Sequence, residues 1–482
     1  MLRKYFKDAF WIGFTNLILQ LKGLVLIPLL SKKFGAVGYG AWAQVAVLVG
    51  MLSPVVGMGI GQGYGRFMPA RNRREQAEFL WTNIWIHALM SVICFGLLWI
   101  AAKPLASFLV ESASEYPLIY ACGLVISSNL LVNDVQAFFR VGQNVKAMNI
   151  VILVRGFGNL VVVLAIYVAG GGVLGIVLAG GVFDLVVALS CLVAIAQRYA
   201  ISGIDQAMAR KFFAFGWVLI PTGYTMWVIN ASDRLFLAHY GNLKNIGIYS
   251  AMYALGYGLI PLVVRPFRAM YPVVAASLYD SDDLRGIQRL FEHSTKAVLF
   301  FVIMTFAVLL LFAKDIAGVF TAKEFLRGSL IIPIIFLSYV VNVFASYYGV
   351  NLGLRSKQRI LTYSLAIACA ANILLNFVLI PQFGIYGAAA STLIAFTIDL
   401  LICMYYGNKI VKLSIDKKFL IKCLSVSFLV VVSVSRFSFV VDNFYKMIII
   451  FFSLLCIYTA GCLCLNTFSK EEIKLIIKSV TG

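Results

Sequence analysis

VLGIVLAGGVFDLVVALSCLVAIA, residues 173–196, holds one charged side chain, Asp184, in a run long enough to cross a bilayer. A helix rises about 1.5 Å per residue, so about 20 apolar residues traverse ~30 Å of hydrocarbon. Runs of that kind recur along the chain, near 10–30, 39–62, 79–101, 118–139, 148–168, 173–196, 212–238, 246–267, 297–313, 330–350, 360–380, 385–406, 419–434 and 447–465. They are continuous and do not alternate, which argues against a β-barrel. Of 482 residues, 62% are hydrophobic and 12% charged, and mean hydropathy is +0.93. A water-soluble domain carries about twice that share of charge, so lipid must solvate much of the surface. The expected fold is an all-α membrane protein with about fourteen transmembrane helices, twelve being the alternative.

The first run does not read as a cleaved signal peptide, because it is too long, carries Asn16, Gln20 and Lys22, and precedes no small-residue cleavage site. The nine cysteines lie almost entirely inside apolar runs without paired spacing. They point to packing rather than to disulfides or a metal site.

Net charge is +20, which alone would suggest nucleic acid. The basic residues instead gather in alternate connections, roughly three times as many on the side of the N-terminus as on the other. Lys22 and Arg155 lie inside spans. The pattern is a topology signal: it places both termini in the cytoplasm of a multi-pass inner-membrane protein and leaves no case for nucleic-acid binding.

Three motifs recur in order at a spacing of roughly 210 residues. Phe34-Gly35-Ala36-Val37-Gly38-Tyr39-Gly40-Ala41-Trp42 follows span one, and Tyr240-Gly241-Asn242-Leu243-Lys244-Asn245-Ile246-Gly247-Ile248-Tyr249 follows span seven. Asn133, Gly142 and Lys146 match Asn342, Gly353 and Lys357, and Gly172-Val173-Leu174-Gly175 matches Gly384-Ile385-Tyr386-Gly387. Each repeat holds an even number of spans, so both copies enter from the same side. The expected organisation is two parallel six-helix lobes, 1–205 and 206–410, around a central cavity. Residues 411–482 add two C-terminal helices and a cytoplasmic tail.

The Phe-Gly-x-x-x-Tyr-Gly-x-Trp segment at 34–42, Asp233-Arg234 ahead of the Tyr240–Tyr249 segment, and Gly384-Ile385-Tyr386-Gly387-Ala388-Ala389 resemble the polysaccharide transporter family. That family includes O-antigen and exopolysaccharide flippases and belongs to the multidrug/oligosaccharidyl-lipid/polysaccharide exporter superfamily. The resemblance covers about the first 410 residues. It implies two lobes in a V shape that alternate between inward- and outward-open states. It also implies an undecaprenyl-diphosphate-linked oligosaccharide as cargo, moved to the periplasmic leaflet, and polymerase and chain-length proteins as pathway partners.

Such a cargo presents a diphosphate, a glycan and a polyprenyl tail that stays in lipid. A charge held at bilayer depth costs at least about 2.5–3.5 kcal/mol, so Lys22 and Arg155 are candidates for the diphosphate. Their structural alternatives are a pairing of Lys22 with Asp134 or Asp184 and snorkelling of Arg155. Arg66, Arg265 and Arg268 lie at cytoplasmic span ends, where topology accounts for them. Related lipid flippases carry arginines on the second and eighth helices, which implies a role in binding for these three.

Asp233, Asn372, Asn376 and Thr392 are candidates for a coupling-ion site, Asn372 and Asn376 sharing a helix face at i, i+4. Oxygen donors suit Na⁺. A lipid II flippase relative builds such a site from Asp, Asn, Asp and Thr, and here Asn376 stands in place of the second Asp. Pairing of Asp233 with Arg234 is the alternative. Asp184 and Asp399 are possible carriers if the ion is H⁺, whereas His87 reads as hydrogen-bonded within the bundle. No cofactor is expected.

The outer loops are short, and no Walker motif, glycine-rich nucleotide loop or metal spacing is present, which argues against an enzyme or ATP-driven pump. The loop after span two, 61–74, has no aspartate, unlike that of a major-facilitator protein. A multidrug exporter carries cationic cargo, which Lys22 and Arg155 disfavour. A lipid II flippase shares the whole layout and is the nearest rival.

Overall fold

The computed structural model describes residues 2–69, 71–268, 271–436 and 443–468. Side chains are described from Lys22 onward, apart from residues 24, 62, 218, 219, 222 and 265–267. Among the described residues fifteen α-helices follow in order. They are α1 (Leu2–Val56), α2 (Ile60–Phe67), α3 (Arg73–Val110), α4 (Tyr116–Val141) and α5 (Val145–Val168). Next come α6 (Val173–Ala196), α7 (Gln206–Tyr240), α8 (Leu243–Arg268), α9 (Tyr271–Asp280) and α10 (Leu284–Phe320). The last are α11 (Ile331–Leu354), α12 (Gln358–Phe383), α13 (Ile385–Asn408), α14 (Lys417–Ser435) and α15 (Phe444–Cys464).

In hydrocarbon every backbone polar group needs an internal partner, which a helix supplies along its length but not at its ends. The sequence places a short polar side chain at several starts. Asn72, Asn144, Asp205, Asp283 and Asn443 accept from the backbone N–H three residues on, at 2.7–3.1 Å, and cap α3, α5, α7, α10 and α15. Large apolar side chains point outward on the same helices: Val92 and Trp99 are each 70% exposed and Ile100 80%. A surface of that kind is stable against lipid and not against water.

Twelve helical stretches among the described residues are long and apolar enough to cross a membrane. Eleven of the fourteen predicted spans fall within a helix; 39–62 runs past the end of α1 at Val56 into α2, and 330–350 and 447–465 overrun α11 and α15 by one residue each. The first two share α1, which breaks its helical geometry at Gly35 (φ 62°, ψ −170°). Spans 10–30 and 212–238 lie on helical backbone in α1 and α7 whose side chains fall partly outside the described residues.

By contacts the chain divides into two compact units, Met1–Ser250 with Ile373–Ala388, and Ala251–Asn372 with Ala389–Gly482. In the first, α4 packs against α3 and α6, and α1 against α5, α4 and α7. The repeated glycine motifs meet there. A Cβ on Gly40 would collide with the Leu243 carbonyl, and one on Gly247 with the Ala36 carbonyl. The motif after span one and its copy after span seven are therefore in backbone contact, which only glycine permits. In the turn between α12 and α13, Gly384 adopts φ 54°, a conformation glycine reaches without strain.

In the second unit α10 packs on α14, α11 and α15. Asp416 caps α14 by accepting from the Phe419 N–H at 3.0 Å, and its other oxygen meets Lys296 Nζ at 3.1 Å. The Phe419 N–H, then Lys296, hold its carboxyl below the usual carboxylate range against a smaller opposing effect of burial. A depressed value means the cap is complete above the unfolded carboxylate range, about pH 4, and is lost as pH falls through the folded value. Hydrogen exchange in the first turn of α14 is therefore expected to rise on acidification, and Asp416→Ala should raise it at neutral pH by about 1 kcal/mol of lost protection. An acid-insensitive first turn in wild type would count against this cap.

Candidate functional site

Lys22 and Arg155, remote in sequence, come together in the first unit around one acid. Arg155 on α5 places Nε 3.0 Å and Nη2 2.9 Å from Asp184 Oδ2 on α6, and Nη2 also donates to the Asn129 side-chain oxygen on α4. The Arg155 side chain is 27% exposed and that of Asp184 7%. Lys22, partly buried on α1, lies within electrostatic reach of both Asp184 and Arg155 and makes no ion pair among the described residues. The cluster thus holds two cations and one carboxylate. Asp184 Oδ1 is buried without a hydrogen-bond partner, so the acid itself still has an open acceptor.

Among the described residues Lys22 forms an ion pair with neither of its two alternative carboxylates. Asp184 pairs with Arg155 through Oδ2. Asp134 on α4 faces His87 on α3 at 2.6 Å and accepts from Asn83 at 3.0 Å. His87 is hydrogen-bonded within the bundle, as its position suggested. Arg155 does not snorkel; it turns toward α6. Arg66, in the last turn of α2, is exposed and stacks over Phe67 at 5.9 Å. Arg268, at the end of α8, is exposed as well. Arg265 lies on helical backbone, and its side chain falls outside the described residues.

Asp233 is fully buried, at 0% exposure, and both its oxygens are engaged. Oδ1 accepts from the Arg234 backbone N–H and from Nη1, each at 2.8 Å, and Oδ2 accepts from the Tyr249 hydroxyl. The Arg234 guanidinium also lies 5.1 Å from the centre of the Tyr249 ring. The structure thus contains the Asp233–Arg234 pair that stood as the alternative to an ion site. Three of the roughly four lone-pair positions of this carboxylate are thus occupied. Asn372, Asn376 and Thr392 are each 0% exposed. Asp233 and Asn376 belong to the first unit, Asn372 and Thr392 to the second.

Asp399 on α13 accepts from the Ser364 hydroxyl on α12 at 2.5 Å, with the Cys403 thiol 3.6 Å away. Away from the spans, Arg285, Gln288, Arg289, Glu292, Lys412 and Ser414 line a cavity of 550 Å³ in the second unit. Glu292 there is neutralised by Lys296 at 2.8 Å. Among participants in these sites, Asn129 and Ser364 went unnoticed in the sequence, and Tyr249 was seen only as part of a repeated motif, because a lone polar residue in an apolar helix gives no sign of the neighbour it faces.

A family model described as polysaccharide biosynthesis protein matches residues 5–277. Lipid III flippase of Escherichia coli K12 is 22% identical over 423 residues, covering 82% of this chain and 96% of the relative. The probable low-salt glycan biosynthesis flippase Agl15 of Haloferax volcanii is 24% identical over 132 residues, a stretch that covers 27% of this chain and 28% of that relative. Among solved structures, an inward closed conformation of the lipid II flippase MurJ superposes with a TM-score of 0.72 at 18% identity, over 93% of this chain and 97% of that one. An inward-facing multidrug resistance transporter of the MATE family superposes with a TM-score of 0.64 at 13% identity, over 82% and 94%. These superpositions establish the shared fold, and the match over 5–277 establishes the family. Long apolar helices, the repeated glycine motifs and these likenesses converge: this multi-pass chain belongs to the polysaccharide biosynthesis protein family.

Proposed function

We propose that this protein is a flippase that carries an undecaprenyl-diphosphate-linked oligosaccharide, the repeat unit of an O-antigen, capsule or exopolysaccharide, from the cytoplasmic to the periplasmic leaflet. One observation carries the reading: a surplus positive charge held at span depth by Lys22, Arg155 and Asp184. A buried charge is expensive unless it serves a ligand or a partner. One carboxylate balances one cation, and the second cation is left for a phosphorylated headgroup. The fork of Arg155 is already spent on Asp184 and Asn129, so Lys22 makes the first contact and Arg155 orients the acid. The names of the relatives that flip lipid III and low-salt glycan support the same class of cargo. Residues 1–205 and 206–410 act as the two lobes in this reading. Both termini are cytoplasmic in the inner membrane, and polymerase and chain-length proteins take over the product.

The reading is tested in a strain lacking the gene, by mass spectrometry of its lipid-linked intermediates. Repeat-unit sugars on undecaprenyl diphosphate should accumulate. Accumulation of lipid II in their place would favour the rival.

Transport is coupled to Na⁺ or H⁺ in this proposal. Asp233 is the carboxylate offered to Na⁺ in this reading, with an acceptor position left on Oδ2 beside the Tyr249 hydroxyl. Asp233→Asn is expected to lower export roughly tenfold or more, because it removes the charge that holds Arg234 and any exchanging cation. Export unchanged both in that variant and in sodium-free medium would remove Asp233 from the cycle.

A further inference from the structure

The pair formed by His87 and Asp134 is the most deeply buried histidine–carboxylate contact among the described residues, with side chains 3% and 4% exposed. Its hydrogen bonds count its protons. His87 Nε2 lies 3.3 Å from the Gly57 carbonyl, which can only accept, so Nε2 carries a hydrogen. His87 Nδ1 lies 2.6 Å from Asp134 Oδ2, a contact that needs a second hydrogen between the two atoms. Asp134 Oδ1 is occupied by the Asn83 amide at 3.0 Å. Ring and carboxylate together therefore hold one proton more than a neutral imidazole beside a carboxylate.

Loss of that proton leaves two lone pairs facing each other at hydrogen-bond distance, an arrangement that cannot persist. The neutral ring can keep Asp134 by carrying its one hydrogen on Nδ1, and it then turns a bare Nε2 to Gly57. Deprotonation thus releases the Gly57 carbonyl. That carbonyl sits where α1 gives way to α2. Met58 and Gly59 take left-handed conformations there, φ 50° and 64°, and the Ile60 N–H returns to Gly57 O at 3.1 Å. Gly59 in turn lies against the backbone of Gly216 on α7. The proton is therefore wired to a joint shared by three helices. Among the described residues, Tyr64 on α2 interacts electrostatically with Asp134 and is itself acted on by Arg73 on α3. The Tyr64 hydroxyl donates to Gln76 O at 2.6 Å and Arg73 to Gly142 O at 2.8 Å, so neither takes the proton.

We infer that His87 and Asp134 form the site that binds and releases a driving proton, and that its release loosens the α1–α2 joint. The step is His87-H⁺·Asp134⁻ going to His87·Asp134⁻ plus a proton, with no other reactant. The inference rests on the transporter reading above but on no particular cargo. A merely structural tie could use neutral amides, whereas an imidazole is the side chain that changes charge near neutral pH.

The test uses the full-length protein in nanodiscs without cargo. Hydrogen exchange of peptides covering residues 51–66 is followed between about pH 6 and about pH 8, after division by the intrinsic rate. Exchange at 57–60 should rise about tenfold toward the higher pH in wild type, and the rise should vanish in His87→Gln and in Asp134→Asn. A flat wild-type profile would overturn the inference, and so would a pH response that survives in either folded variant. Because no cargo is present, the joint can respond to pH even where the lipid-linked cargo proves wrong, and the deletion-strain lipids can prove right where the joint is inert.

Discussion

Lys22→Ala is expected to reduce polysaccharide export to background while leaving the amount of protein in the membrane unchanged. The asymmetry follows from the charge count at the cluster. Lys22 has no ion pair among the described residues, so its removal orphans no partner, and the remaining Arg155–Asp184 pair is electrically neutral. What disappears is the unbalanced positive charge that a diphosphate would meet. Arg155→Ala behaves differently. It strands Asp184, whose side chain is 7% exposed, and breaking a buried pair from one side costs about 3–5 kcal/mol. Protein level should therefore fall with export in that variant. Arg155→Ala combined with Asp184→Asn should restore the level, because the uncompensated charge is gone, yet leave export poor because both the guanidinium and the carboxylate that set the geometry around Lys22 are missing. Immunoblots of membranes beside surface-polysaccharide gels separate these outcomes. Full export by Lys22→Ala at normal level would take the cluster out of the mechanism.

The depth of Lys22 and Arg155 was legible because a cation inside an apolar run has no ordinary explanation. Their mutual geometry was not. Whether Arg155 or Lys22 reaches Asp184, and whether Asp134 joins them, depends on the rotation of four helices about their axes, which apolar runs without strong sidedness do not specify. Asp233 shows the same limit. Adjacent residues on a helix do not face each other, yet Arg234 folds its guanidinium back to Asp233 Oδ1 at 2.8 Å and to the Asn230 carbonyl at 2.5 Å. Tyr249, from the next helix, completes the set through a contact that no local spacing announces. The spans themselves were legible as elements, since length and apolarity are demanded by the bilayer, but their ends were not: α3 runs Arg73–Val110 against 79–101 and α10 Leu284–Phe320 against 297–313. Gly35 is the instructive case: its non-helical backbone divides α1 into two helical segments that correspond to the first two predicted spans, and the glycine was visible in the first motif.

Gly247→Ala should be among the most damaging single-methyl changes in the chain. Its new Cβ would meet the Ala36 carbonyl and the Gly40 N–H, both backbone atoms, so no rotamer change relieves the clash. The helices must separate, at a cost of about 1–3 kcal/mol from overpacking, and the separation strips contacts along the whole seam. Gly40→Ala meets the Leu243 carbonyl from the opposite side and should be as harmful. The two changes should not add, because either one already opens the seam, and residues that share a displacement couple. Gly96→Ala is the control: a Cβ there meets nothing within 4 Å, and a helix gains slightly from the substitution. Thermal unfolding of the purified variants should place Gly247→Ala and Gly40→Ala several degrees below wild type and Gly96→Ala level with it. Since these two glycines belong to the motif and to its copy, the result would explain why both halves keep it: each copy is the surface against which the other must close. If Gly247→Ala unfolded at the wild-type temperature, the close approach of α1 and α8 would be wrong, and with it the reason for the repeat.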